Sequence, residues 1–324
     1  QGPTWILLDT SYAERDGVVV VELADFSGLR RLPGGRPAPR TASSYGTGEV
    51  IAAALDAGCR RIVLGIGGSA CTDGGAGMVQ ALGARLDPVP AEAGGAALRT
   101  VAAVDLSGLN PRLADVEVVI ASDVDNRLLG ARGAAAVYGP QKGAGPADVA
   151  ALEDGLTRWA AAVAATTGRD LTGTAGAGAA GGVGFGALAV LGATVQPGID
   201  LLLDLAGFDA ALVGAELVIT GEGSLDEQTL MGKAPVGLAA RATAAGIPVI
   251  AVSGRCLLTA TQAAAAGFTR VHTLSEMQPD PHRCMRDAGP LLQQLGTRIA
   301  AHYLNPAGGV AVGSVTTTAG KDSQ

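Results

Sequence analysis

Three groups of carboxylates and lysines in this sequence sit beside stretches rich in glycine. Asp73 lies at the centre of GGSACTDGG; Asp123, Asp125 and Asn126 fall within four residues; and Glu222, Asp226 and Lys233 share one short stretch, GEGSLDEQTLMGK. Glycines let backbone amides approach an anion closely, and the first amides of a following helix add partial positive charge, which suits phosphate or carboxylate. That makes Gly67, Gly68, Ser69, Gly74 and Gly75 candidates for binding an anionic ligand. Two aspartates and an amide are hard oxygen donors that can hold Mg²⁺ directly or through water. A carboxylate beside a lysine suits phosphoryl transfer: Glu222 or Asp226 binds metal or accepts a proton, and Lys233 offsets phosphate charge. Lys142, between Gly139 and Gly143, is a second candidate point charge. Each group also has a plainer reading, namely packing glycines, a solvated Asx turn, or a surface lysine.

The elements that must position these residues alternate as strands and helices. Residues 62–66 form a buried β-branched run that enters the first glycine stretch, and Met78, Val79 and Leu82 resume a helical stripe after it. Residues 116–122 form a second buried strand, which puts Asp123 and Asp125 at a carboxyl end, where open α/β sheets present ligands. Residues 216–220, 236–245 and 249–253 predict a β-α-β unit, with Glu222, Asp226 and Lys233 on its first loop. Upstream, 5–8 and 18–23 read as paired strands joined around Asp16 and Gly17, and a helix capped at Thr47 or Gly48 ends at Gly58. Residues 87–113 are looser. The helix over 151–167 places Leu152, Leu156, Trp159 and Val163 on one face, so Trp159 reads as core. The segment AGAGAAGGVGFG contains a GxGxxG at Gly176, Gly178 and Gly181 but follows no strand, so it lacks the context of a dinucleotide fingerprint. Near Val271 a short strand precedes a last helix bearing Leu292, Leu295 and Ile299.

Composition excludes several classes. The 324 residues carry a net charge of −7 without a basic cluster, which argues against nucleic acid. Four scattered cysteines form no CxxC pair, so a reduced, cytoplasmic setting is expected. The three histidines read as surface or rim groups, which disfavours a histidine-based triad. The uncharged window between Asp170 and Asp200 is long enough to span a bilayer, but its glycine and alanine content and lack of a basic flank read as a buried turn and helix.

The blocks GIGGSACTDGGAGM, SDVDNRLLGARGAAAVYGPQKGA, GAGAAGGVG and TGEGSLDEQTLMGKAPVG, in this order, resemble the signatures of the bacterial-type (class I) glycerate kinase family. The resemblance implies an α/β protein of two domains, one Rossmann-like and built from both ends of the chain, the other an α/β domain inserted into it. On that reading residues 1–196 are the inserted domain, 197–304 the C-terminal part of the Rossmann-like domain, and 305–324 a disordered tail. It also implies transfer of the ATP γ-phosphate to D-glycerate with Mg²⁺. Asp123, Asp125 and Asn126 would then hold the metal, while Lys142 and Lys233 spread charge. Asp73 or Asp226 would take the hydroxyl proton, and Glu222 with the loops at Gly67–Gly75 and at Gly176, Gly178, Gly181 and Gly182 would bind substrate or nucleotide. A homo-oligomer and the choice of glycerate hydroxyl are left open.

Some features depart from the family pattern. The family's DSFKGS and ADGGEG motifs are not found, so an incomplete Rossmann-like domain is expected, and a truncated, non-catalytic glycerate- or nucleotide-binding remnant is the alternative. Cys71 and Thr72 replace a usual Thr-Asn pair, and Arg127 stands where a proline is common. A nicotinamide oxidoreductase is a third reading.

Overall fold

The computed structural model describes residues 1–303, so the tail expected over 305–324 lies outside the described residues. The chain divides into two compact units, Gln1–Gly198 and a second from Ile199 onward.

The first unit is built on a five-stranded sheet. In chain order its elements are β1 (Ala13–Arg15), β2 (Val18–Glu22), α1 (Leu23–Ser27), α2 (Tyr45–Asp56), β3 (Arg61–Gly65), α3 (Ala76–Ala81), β4 (Arg85–Asp87), β5 (Ala103–Asp105), β6 (Glu117–Ala121), α4 (Ala134–Tyr138), α5 (Pro146–Thr167), α6 (Ala179–Val190) and β7 (Thr194–Gln196). The sheet order is β1-β2-β3-β6-β7, parallel throughout except for the β1–β2 hairpin, while β4, just before the looser region, and β5, within it, form a separate pair. Asp16 and Gly17 both take positive φ, the geometry of the two-residue turn whose twist suits a hairpin. The partner of β2 is therefore Ala13–Arg15 and not residues 5–8, because a tight turn pairs only the residues flanking it. Likewise the helix α2 starts at Tyr45, earlier than a cap at Thr47 or Gly48, and Gly58 closes it at φ +84°.

Central strands β3 and β6 bury Ile62, Val63 and Leu64, and Val118, Val119 and Ile120, as parallel strands covered on both faces must. Their register fixes the functional edge. Glu22 pairs with Gly65, Gly65 with Ala121, and Ala121 with Gln196, so four carboxyl ends finish in one row. The loops carrying Gly67 and Asp123 leave the sheet from that row. Trp159 is fully buried in α5, as its helical face predicts. The uncharged window becomes the buried helix α6, and among the described residues no helix is long and apolar enough to cross a membrane.

The second unit begins with α7 (Gly198–Leu205), counted by its bulk, and continues through α8 (Phe208–Leu212), β8 (Val218–Leu225), α9 (Ala234–Ala244), β9 (Val249–Cys256), α10 (Ala260–Ala265), β10 (Arg270–Thr273), α11 (Pro281–Arg286) and α12 (Ala288–Tyr303). Its sheet, β10-β9-β8, is fully parallel. Strand periodicity divides the core into two layers. Val249 and Ala251 pack with Ala239, Ala242, Ala263 and Phe268 from one side, whereas Ile250 packs with Leu274, Leu295 and Ile299 on the other. The first strand runs to Leu225, five residues beyond the expected 216–220 segment, because Gly221 to Leu225 keep pairing with β9 despite their polar sequence. Glu222 is accordingly a strand residue.

His272 is the most enclosed of the three histidines, half-buried at the rim of the sheet. It lies in β10 with its Nε2 buried and without a hydrogen-bond partner among the described residues, whereas His282 and His302 are exposed. Burial lowers its pKa, with Arg270 acting in the same direction, Glu276 against it and His302 with it. A histidine held neutral by folding stabilises fully above its unfolded pKa of about 6.5, and that stability is lost as pH falls through the folded value. The midpoint of thermal unfolding of the second unit should therefore fall between pH 7 and 5, and His272→Gln should flatten that slope in calorimetric scans.

Candidate functional site

The loop after β3 has two parts with different environments. Gly67 and Gly68 are exposed, and a Cβ at Gly67 would meet nothing within 4 Å, whereas Ser69 to Gly75 are buried. The exposed part is clasped by the segment after α1: Leu29 N donates to Gly68 O at 3.0 Å, and Ala70 N donates to Ser27 O at 2.8 Å. A cavity of about 540 Å³ opens there, lined by Glu22, Ala24, Asp25, Leu29, Arg30, Arg31, Gly67 and Gly68.

In the buried part the carboxylate has a structural role. Asp73 is 1% exposed and accepts five hydrogen bonds: from Ser44 N (2.7 Å), Ser44 Oγ (2.8 Å), Ser43 Oγ (3.4 Å), Gly75 N (3.2 Å) and Gly77 N (3.3 Å). It ties the start of α2 to the start of α3, answering amides that helix ends leave orphaned. Sealed from solvent and saturated with donors, it is not placed to take a proton from a substrate, which corrects its assignment as a catalytic base.

Lys142 is also reassigned. It is 2% exposed, and its Nζ donates to Ser69 Oγ at 2.8 Å and to the Cys71 carbonyl. Burial lowers the ammonium's pKa, while Cys71 and Asp73 act against that shift. The lysine therefore holds the glycine loop from behind instead of offering a charge to phosphate, and Ser69 is its partner. Burial pushes the Cys71 thiol well up, with the Asp73 charge adding to it.

The second glycine stretch packs against the first. Gly74 N donates to Gly181 O at 3.0 Å, and Gly178 N donates to Asn126 O at 2.8 Å. Gly181 and Gly182 take φ of +72° and +89°; a Cβ on Gly181 would stand 2.2 Å from the Cys71 carbonyl oxygen, and one on Gly182 2.8 Å from Gly74 Cα. Gly74 itself lies under Trp159, whose Nε1 donates to Gly74 O at 3.0 Å. Two backbones meet here without room for side chains. Gly74, Gly75, Gly176, Gly178, Gly181 and Gly182 are thus packing glycines in this unit, and the ligand-loop reading survives only for Gly67 and Gly68.

Asp123 and Asp125 are exposed at the end of β6, as expected. Asp123 Oδ1 accepts from Gly198 N at 3.0 Å. Asn126 does not join them: its Nδ2 donates to Arg132 O at 2.9 Å and its Oδ1 accepts from Tyr138 at 2.6 Å, so the amide braces its own loop. Among the described residues no group of three or more His, Cys, Asp or Glu could hold a metal ion. Two carboxylates with water and phosphate oxygens still match what Mg²⁺ takes from a protein.

In the second unit the expected constellation is assembled. Lys233 Nζ lies 3.7 Å from Glu222 Oε2 and 3.9 Å from Asp226 Oδ1. Thr229, which sequence reasoning passed over, is buried; its hydroxyl donates to Glu222 Oε1 and accepts from Asp226 N at 3.0 Å. Asp226 Oδ1 accepts from Gln228 N at 3.0 Å and Thr229 N at 3.3 Å, while its Oδ2 accepts from no donor among the described residues. Glu22, Arg30 and Arg31 in the first unit were also passed over. The available signal was a charged residue immediately after the apolar run VVVV and an adjacent arginine pair.

The family model described as "Glycerate kinase family" matches residues 1–304. The chain belongs to the glycerate kinase family. A glycerate kinase of Halalkalibacterium halodurans is 45% identical over 240 residues, covering 73% of this chain and 63% of that protein. A glycerate 2-kinase of Escherichia coli strain K12 is 42% identical over 237 residues, covering 72% and 62%. A crystal structure of a protein assigned as glycerate kinase 2 of Salmonella typhimurium LT2 superposes with a TM-score of 0.75 at 42% identity, over 84% of this chain and 72% of that one. The chain spans a little under two thirds of the length of the curated glycerate kinases it matches. The mixed α/β architecture with parallel sheets in both units agrees with that likeness.

Proposed function

We propose that this chain serves ATP-dependent phosphorylation of D-glycerate, with Mg²⁺ as the metal. The observation that carries the reading is the family match across residues 1–304. The Glu222–Thr229–Asp226–Lys233 cluster supports it, because it gathers a proton acceptor and a cation at the carboxyl end of a parallel strand. Asp226 is the better acceptor for a hydroxyl proton, since Glu222 is engaged at both oxygens and Asp73 is sealed away. Lys233, 41% exposed at its side chain, offsets charge on a transferring phosphoryl group. Asp123 and Asp125 are the donors for Mg²⁺, which when bound neutralises phosphate charge. We read the first unit as the inserted domain and the second as part of the Rossmann-like one.

The test is ADP release by the 324-residue chain with Mg·ATP, compared with and without D-glycerate, with the product's phosphate position read by ³¹P NMR. Glycerate-dependent release is expected, and its absence overturns the reading for this chain. Asp226→Asn should lower kcat by roughly 10²- to 10³-fold with little change in the KM for ATP, as loss of a group acting mainly in the transition state does.

A further inference from the structure

The cavity at the carboxyl ends of β2 and β3 brings together groups that the catalytic proposal does not use. Arg31 is paired with Asp25 at 3.4 Å, but Arg30 makes no ion pair or side-chain hydrogen bond among the described residues. Glu22 is similarly without a partner, and its carboxylate stands beside the open Gly65 backbone, 3.5–3.6 Å from where a Cβ would be. Gly67 and Gly68 line the same cavity, and their amides donate to no backbone acceptor among the described residues.

One free guanidinium, two backbone amides and one free carboxylate thus face a single space. A phosphate would be repelled by Glu22 and Asp25, and a cation by Arg30. A small molecule with a carboxylate at one end and a hydroxyl beside it satisfies both signs, since guanidinium and amides bind the first and a carboxylate accepts from the second.

We infer that this cavity is the hydroxy-acid subsite, in which Arg30 and the Gly67–Gly68 amides hold the ligand's carboxylate and Glu22 accepts a hydrogen bond from its hydroxyl. The inference rests on the glycerate reading above. At about 540 Å³ the cavity is larger than a three-carbon acid, which leaves space beside the hydroxyls. The carboxylate contact also explains why glycerol, with the same hydroxyls and no charge, should be a poor ligand.

The experiment is calorimetric titration of the whole chain with D-glycerate, glycerol and inorganic phosphate, without nucleotide, beside the ADP-release assay. Arg30→Ala should weaken D-glycerate binding by about 10- to 100-fold, the usual worth of a hydrogen-bonded charge pair, and abolish the preference over glycerol. Arg30→Lys should restore part of the affinity, and Glu22→Gln should weaken binding less than Arg30→Ala. Both side chains are at the surface, so melting curves should be unchanged and affinity for a fluorescent ATP analogue preserved. If the wild-type chain binds and turns over glycerate and Arg30→Ala and Glu22→Gln do so equally well, the subsite is wrong and the kinase reading stands. If the wild-type chain neither binds nor phosphorylates glycerate, both fall. If inorganic phosphate binds more tightly than glycerate, with its binding lost in Arg30→Ala, the hydroxy-acid assignment is overturned.

Discussion

Asp73→Ala is expected to lower the unfolding midpoint of the first unit by about 10 °C. The substitution leaves five donors, from Ser43, Ser44, Gly75 and Gly77, aimed at an empty space inside the protein. Leaving buried polar groups unsatisfied, together with an unbalanced charge at Lys142, costs roughly 3–5 kcal/mol, and for a unit of this size each kcal/mol shifts the midpoint by about 2–4 °C. Domains hold only about 5–15 kcal/mol in all. Differential scanning calorimetry checks the shift. A catalytic aspartate would behave differently: Asp73→Asn would then keep the wild-type midpoint and lose turnover. Here Asp73→Asn should itself melt early, because an amide nitrogen cannot accept the hydrogen bonds that the carboxylate oxygen does.

Gly181→Ala should be strongly destabilising, whereas Gly67→Ala should leave stability unchanged. The two glycines look alike in sequence, each preceded by a small or apolar residue and followed by another glycine. At Gly181 an alanine pays the left-handed backbone penalty of about 1 kcal/mol at φ +72°, and its Cβ must clear the Cys71 carbonyl oxygen now 2.2 Å away. Moving backbone against backbone adds about 1–3 kcal/mol or more. Gly67 has open space in place of a Cβ and no such φ. Urea unfolding of the two variants side by side measures the contrast; equal midpoints would mean that the loops do not pack as described. Gly67→Ala remains informative for function, since Gly67 lines the same cavity as Arg30.

The backbone plan was legible in the sequence because it rests on local patterns. β-branched runs gave β3, β6 and β9, and the face shared by Leu152, Leu156, Trp159 and Val163 gave α5. The hairpin partner of β2 was misplaced because residues 5–8 are apolar, yet the Asp16–Gly17 turn admits only its immediate flanks. The extension of β8 through GEGS was missed because those residues pair through their backbones, and side-chain type says little about that. Site residues divided along the same line. Glu222, Asp226 and Lys233 lie within twelve residues, so proximity in sequence ensured proximity in space. Asp73 and Lys142 have the types expected of catalytic groups, and only burial, set by partners many residues away, distinguishes a clamp from a catalyst. Glu22 and Arg30 are near each other in sequence, but Gly67 and Gly68 join them in one cavity through the register that ends β2 beside β3, which sequence spacing does not encode.

The attachments of the glycine loop bear on how it can be acquired or transplanted. Lys142 reaches it across 73 residues to Ser69, Trp159 across 85 to Gly74, and Gly181 meets Gly74 from farther still. A peptide carrying GIGGSACTDGG, or a chimera that borrows only β3, the loop and α3, would possess the motif without the struts that give it shape. The loop is therefore not a portable cassette. Its geometry is a property of the completed unit, and because such distant contacts form only after long stretches of chain have been closed, a nascent chain would carry the letters of the motif well before it had the cradle.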